Sequence, residues 1–278
     1  MLIIIISAII IFLLIIIIES ISNNRRNLLA FQNAKYILKK DNRKIKIPEI
    51  EETNKIPKKI LQIYFQGEDC VPPYVRENIT EKNTGWEYNF FDQEKCYNFL
   101  RENFDESYVE KMDSFKKYAH KADLFRICWL YINGGVYMDA DMELFIPLDE
   151  LIKDFKGTLT TLKNNFRRNL YEDVISNFFG YKHETLINSF IFSTKGNILV
   201  KECIENIMKI DQEDLEDNYP LILFVMQHVL KDKIEYIFFE KSSNSFIPLI
   251  KGDMHMYDKK NNRIGNSCYK NYSNGKFK

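Results

Sequence analysis

The chain has 278 residues, with 39 Lys+Arg against 39 Asp+Glu and a formal net charge of zero. No overall positive field gathers nucleic acid, and five scattered cysteines without a CxxC pair point away from a disulfide framework or a zinc ribbon. The sequence from Lys55 to Lys278 reads as one globular domain with an ample core.

Leu2–Ile18 is apolar throughout except for Ser7, a run of about 25 Å if helical. It is near the short limit for a bilayer span, roughly 17–25 residues. No charged leader precedes the run and no small-x-small cleavage site follows it, so a retained anchor over 1–18 is expected rather than a signal peptide. Residues 19–54 read as a stem, helical near Leu28–Lys40, with a local excess of Lys/Arg between Arg25 and Lys46. Those flanking cations favour a cytoplasmic C-terminal domain, whereas the sequons at Asn78 and Asn271 suit a lumenal one. The side of the membrane stays open.

From Lys55 the elements alternate. Lys59–Phe65 has strand composition, Pro72-Pro73 opens a helix to about Lys82, Trp86–Phe91 is a second strand, and Gln93–Asn103 a helix. This spacing predicts βαβ units and an α/β fold with a mixed central sheet. A helix is expected over Ser114–Asn133, its stripe at Leu124, Phe125, Cys128, Trp129 and Ile132 facing the core. Asp123 and Arg126 share an adjacent face of that helix. Asn133-Gly134-Gly135 then supplies the stop, and Val136–Asp139 a short strand. Further strands are expected at Met142–Ile146, Leu159–Leu162, Phe190–Ser193 and Ile234–Phe239, and helices after Pro147, at Ile198–Ile210 and at Leu221–Leu230. Beyond Ser242 the chain reads as an irregular polar tail.

A bare Asp-x-Asp is weak, because chance supplies roughly one such triplet in a chain with this many aspartates. Here Asp139 and Asp141 close an apolar strand and alternate along it, so both carboxylates can reach one cation. Hard oxygen ligands suit Mg²⁺ or Mn²⁺, with the remaining positions left to water and phosphate oxygens. An EF-hand is excluded, since Leu144 stands where that loop requires glycine. Asp123 and Arg126, alone, would be an ordinary surface ion pair; beside the carboxylate strand they suit a hydroxyl-rich, phosphorylated ligand.

The run KADLFRICWLYINGGVYMDAD (Lys121–Asp141) resembles the signature of glycosyltransferase family 32, matching it at Ala122, Asp123, Leu124, Arg126, Leu130, Tyr131, Gly134, Gly135, Tyr137, Asp139 and Asp141. IPKKILQIYFQG (Ile56–Gly67) resembles the family's first strand, with Leu61 for the usual His and Tyr64 for the usual Trp. GWEYNFFD (Gly85–Asp92) and INSFIFSTKG (Ile187–Gly196) are similar to two further family segments. The resemblance implies a GT-A, Rossmann-like fold and retaining transfer of a hexose from a nucleoside-diphosphate sugar to a carbohydrate, lipid or protein acceptor. It implies a donor site of Gln62, Ile63, Tyr64, Asp92, Asp123, Arg126, Tyr137 and Asn188, with Tyr64 against the base, and Mn²⁺ or Mg²⁺ on Asp139 and Asp141. His255 is the expected third metal ligand, with Asn266 and Ser267 as alternatives. The last third departs from the pattern: Asn218-Tyr219-Pro220 stands where the family has a Thr-Gly-Pro turn, and Asp253-Met254-His255 where it has a His-rich segment. A metal-dependent phosphodiesterase and a non-catalytic sugar-binding protein are the competing functions.

Overall fold

A computed structural model of the chain describes residues 2–41, 45–164, 186–216, 218–242 and 254–266. Strands β1 (Lys59–Ile63), β2 (Glu87–Phe91) and β3 (Gly135–Met138) form a parallel unit, with β1 between the other two. On the far side of β3 follow β6 (Leu186–Ser193), β5 (Leu159–Asn164), β7 (Phe238–Ser242), β8 (Met254–Asp258), β9 (Arg263–Asn266) and β4 (Glu143–Leu144). Pairing across β3/β6, β6/β5, β7/β8, β8/β9 and β9/β4 is antiparallel, and β5/β7 is parallel. The result is a mixed nine-stranded sheet among the described residues.

Strand periodicity divides the core. Leu61, Ile63, Tyr137 and Ile191 face one layer, while Ile60, Val136, Met138, Phe190 and Phe192 face the other. The first layer is helical: α3 (Gln93–Asn103), α4 (Glu106–Ser114), α5 (Tyr118–Asn133), α7 (Ile198–Ile207), α8 (Gln212–Glu216) and α9 (Leu221–Leu230) contribute to it. The second is thinner, closed in part by α2 (Pro73–Lys82) and α6 (Leu148–Ile152). Helix starts follow local chemistry. Asp92, Asp105 and Asn197 each accept from backbone N–H groups at the first turn of α3, α4 and α7, satisfying donors that no helical carbonyl can reach.

The expected single helix from Ser114 is two. Helix α4 ends at Ser114 and α5 begins at Tyr118. No proline or glycine causes the break. Phe115 turns fully into the core, and the Lys116 N–H donates to the Gln212 side chain at 2.9 Å, so tertiary partners replace the helical ones. The close of α5 behaves as its Gly-Gly stop predicts. Gly135 has φ of +104°, and a Cβ there would lie 2.4 Å from the Lys59 carbonyl oxygen. Only glycine lets β3 approach β1 there.

Two further expectations are corrected. The tail beyond Ser242 contains the hairpin β8–β9, whose second strand pairs with β4. The stem is not free of the body either. Helix α1 (Leu2–Lys39) buries Ala30, Ala34 and Ile37 completely, and Phe31 packs edge-on against Phe224 of α9. Ile45, Ile47 and Ile50 cover the same core, while Tyr131 and Tyr108 donate to the carbonyls of Pro48 (2.9 Å) and Lys46 (3.2 Å). Folded structure therefore begins near Leu28 rather than at Lys55. Among the described residues no helix is long and apolar enough to cross a membrane. Most side chains of 2–18, on which the anchor expectation rests, lie outside those described.

Candidate active site

Strand order places the site. The chain moves from β1 to β2 on one side and returns to β3 on the other, so the connections diverge at the carboxyl ends of β1 and β3. In open α/β sheets that divergence leaves a crevice outside the strand ends, where ligands bind. Tyr64, Asp92 and Asp139 each follow directly on the carboxyl end of one of these strands.

Asp139 is held from three directions. Gln62 on β1 donates to its backbone carbonyl at 3.2 Å, and Gln62 is itself fixed by the Tyr88 hydroxyl at 2.7 Å. The Tyr137 hydroxyl donates to its carboxylate, and the Arg126 guanidinium lies 3.4 Å from the same oxygen. Arg126 is the hub. It also meets Asp123 at 3.2 Å, donates to the Asn188 carbonyl at 2.7 Å, and stacks over the Tyr137 ring at 4.2 Å. The Asn188 side chain closes the circuit by donating to Asp123 at 2.8 Å. Asp141 follows, half-buried, within a tight turn that the Met142 N–H closes by donating to the Asp139 carbonyl.

Electrostatics follow from this packing. Burial raises the Asp139 carboxyl above its ordinary value, opposed by Arg126 and the Tyr137 hydrogen bond. The side chain nonetheless keeps 35% exposure, so an incoming cation can reach it. Burial disfavours the Arg126 charge, but Tyr137, Asp123 and Asp139 around it outweigh that, and its pKa is raised. Burial likewise raises the Tyr137 phenol well above its normal value, keeping it a hydrogen-bond donor.

The expected residues separate into two groups. Asp123, Arg126, Tyr137, Asp139, Asn188 and Gln62 come together, although Gln62 is fully buried and acts on the backbone of Asp139. Ile63 is a core residue on β1. Tyr64 is half-buried against Val71, Val75 and Phe90. Asp92 spends a carboxylate oxygen capping α3, accepting from the Lys95 N–H at 2.9 Å. His255, the expected third metal ligand, stands on β8 in register with Asn266 of β9. Its Nδ1 lies 2.9 Å from Asn266 and 2.8 Å from Arg263, and Asn266 in turn donates to Glu143 at 2.7 Å. Among the described residues no group of three His, Cys, Asp or Glu side chains is placed to hold a metal ion. Ser267 lies outside the described residues. Two carboxylates, one of them raised by burial and open to solvent, still match what a hard divalent cation requires of a protein that leaves other positions to ligand and water.

Residues 73–156 match the family model for the glycosyltransferase sugar-binding region containing a DXD motif. The chain carries a region similar to that of the DXD glycosyltransferases. That region contains Asp123, Arg126, Asp139 and Asp141, the acidic pair and its guanidinium hub. An uncharacterized glycosyltransferase, L373, of Acanthamoeba polyphaga mimivirus is 39% identical over 115 residues, 40% of this chain and 46% of that one. Inositol phosphoceramide mannosyltransferase 1 of Schizosaccharomyces pombe is 28% identical over 107 residues, 36% of this chain and 33% of that one. The chain thus spans less than half the length of these curated relatives. Among solved structures, the PaToxG glycosyltransferase aligns over 78% of this chain and 80% of its own, at 17% identity and a TM-score of 0.43.

Sequence reasoning missed the contact between Tyr219 and His120, which meet one helical turn before Asp123. The only signal was the departure of Asn218-Tyr219-Pro220 from the family pattern.

Proposed function

We propose that the chain is a glycosyltransferase of GT-A type, moving a hexose from a UDP- or GDP-sugar to a glycan, glycolipid or protein acceptor with retention of anomeric configuration. The observation that carries this is Arg126, a buried guanidinium shared by Asp123, Asp139 and the Asn188 carbonyl within the DXD region. Such a cluster offers a sugar both acceptors (Asp123) and donors (Arg126, Asn188) in a fixed arrangement. Asp139 and Asp141 would hold Mn²⁺ or Mg²⁺, which when bound supplies charge neutralisation on a departing diphosphate. Tyr137 and Gln62 orient Asp139 through its carboxylate and its backbone, so the ligand geometry is set before donor arrives. Tyr64, at the carboxyl end of β1, is suited to stack on the nucleotide base.

Release of free nucleotide from a panel of UDP- and GDP-sugars with Mn²⁺ tests the reading. Substituting Asp139→Asn together with Asp141→Asn is expected to abolish that release. Undiminished release in the double variant sinks the assignment, and phosphodiester cleavage without sugar transfer favours the competing hydrolase. The anchor reading rests on the apolar run Leu2–Ile18. The full chain should float with phosphatidylcholine vesicles and a chain lacking 2–18 should not; equal flotation refutes it.

A further inference from the structure

Tyr219 is among the most exposed large side chains of the described residues, at 56%, yet its backbone is tightly fixed. The Leu221 N–H donates to the Asn218 carbonyl at 2.9 Å, and the Asn218 side chain donates to the Asp214 carbonyl at 3.1 Å. Pro220 follows as the cap of α9. Beneath it lies His120, only 2% exposed, whose Nε2 donates to the Tyr219 carbonyl at 3.0 Å and whose ring packs against the phenol at 5.2 Å between centroids. A buried imidazole spent on fixing one carbonyl and one ring is a support for that ring.

The place of this ring matters. His120 stands one helical turn before Asp123 on α5, so the two share a face. Helix α9, which Tyr219 precedes, returns to the same cluster through Met226, whose sulfur lies 4.0 Å from the Asn188 amide. Burial raises the phenol, with Asp123 and Asp139 adding to the rise and Arg126 opposing it, which agrees with a ring near the charged cluster. Over that ring lies the Lys117 ammonium, 4.7 Å from the centroid. A lysine so held is displaced at little cost, because an exposed cation–π contact is weak.

From this geometry we infer that Tyr219 is a specificity-determining wall of the site, on whose open face the pyranose ring of the acceptor stacks. The apolar C–H face of a hexose matches an aromatic face, and its hydroxyl edge is left to Lys117 and to the polar cluster. The inference deepens the transferase reading and rests on it for the word acceptor. The turn where this chain departs from the family pattern is then the part that selects what is glycosylated.

Two measurements test it. In steady-state transfer with the donor found active above, Tyr219→Leu and Tyr219→Ala should raise acceptor KM tenfold or more while donor KM stays within twofold. Tyr219→Phe and Tyr219→Trp should keep acceptor KM within threefold of wild type. Acceptor KM unchanged in the leucine variant, or raised equally in the phenylalanine variant, overturns the stacking role; the second result would assign the hydroxyl instead. The other measurement needs no turnover. Saturation-transfer NMR with methyl α-D-mannopyranoside, methyl α-D-glucopyranoside and methyl β-D-galactopyranoside should show contact with at least one sugar in wild type and its loss in Tyr219→Leu. Equal signals in both proteins, or none in either, overturn the subsite. Sugar contact through Tyr219 without nucleotide release from any donor would refute the transferase reading and leave the subsite standing, so the two failures are distinguishable.

Discussion

Replacing Arg126 by Met removes a hub whose side chain is only 7% exposed. The methionine fills most of the volume, so the loss is polar. The Asn188 carbonyl gives up its 2.7 Å donor, and an orphaned buried acceptor costs about 1–3 kcal/mol. Asp123, with 16% exposure, loses its cation but keeps the Asn188 amide, while Asp139, at 35%, can turn to water. Breaking a fully buried pair costs about 3–5 kcal/mol, and this partly hydrated set falls near the lower end, about 3 kcal/mol. For a body of this size that is a fall in Tm of roughly 6–12 °C. Thermal unfolding by circular dichroism reads it directly. A second prediction is internal to the same experiment. With Arg126 gone, Asp139 is an uncompensated carboxylate, so adding Asp139→Asn should recover on the order of 1 kcal/mol, whereas the same change in wild type should not stabilise. A methionine variant within about 0.5 kcal/mol of wild type, or a double variant showing no coupling, refutes the idea that the guanidinium holds the cluster together.

Two other expectations concern the rest of the body. A chain beginning at Lys55 would strip Ala30, Ala34 and Ile37 from the core, where burying one isoleucine contributes about 1.5–3 kcal/mol; a chain beginning at Leu28 keeps them. The shorter chain should therefore aggregate or melt at markedly lower temperature, and equal melting of the two would show that α1 is dispensable. His228 on α9 donates to the Phe31 carbonyl at 3.3 Å and lies 4.5 Å from the Phe31 ring, and burial lowers its pKa below the ordinary 6.5. A histidine held neutral stabilises the fold above its unfolded pKa, and that contribution is lost as pH falls from 6.5 through the lowered value. The difference in Tm between wild type and His228→Gln should shrink over that acid window. Parallel curves would show that the α1–α9 contact does not sense the proton.

Much was legible in the sequence because it is local. Gln93–Asn103 and Leu221–Leu230 stand as helices between the residues their periodicity marks, and the Gly-Gly stop ends α5 because only glycine tolerates the close approach to Lys59. Asp139, Asp141, Asp123 and Arg126 announce themselves by spacing along one helix, one stop and one strand. What spacing cannot convey is who shares whom. Arg126 reads as a polar-face residue, yet it is buried and pairs with two carboxylates from different elements, because α5 is covered on nearly every side. The helix break at Phe115, the docking of α1 on α9, the hairpin that ties Asn266 to Glu143, and the Tyr219–His120 contact all depend on partners 96 to 193 positions away in sequence. Local chemistry names the groups able to hold a sugar and a cation. Long-range packing decides which of them meet, which are spent on capping or support, and which face is left open to an acceptor.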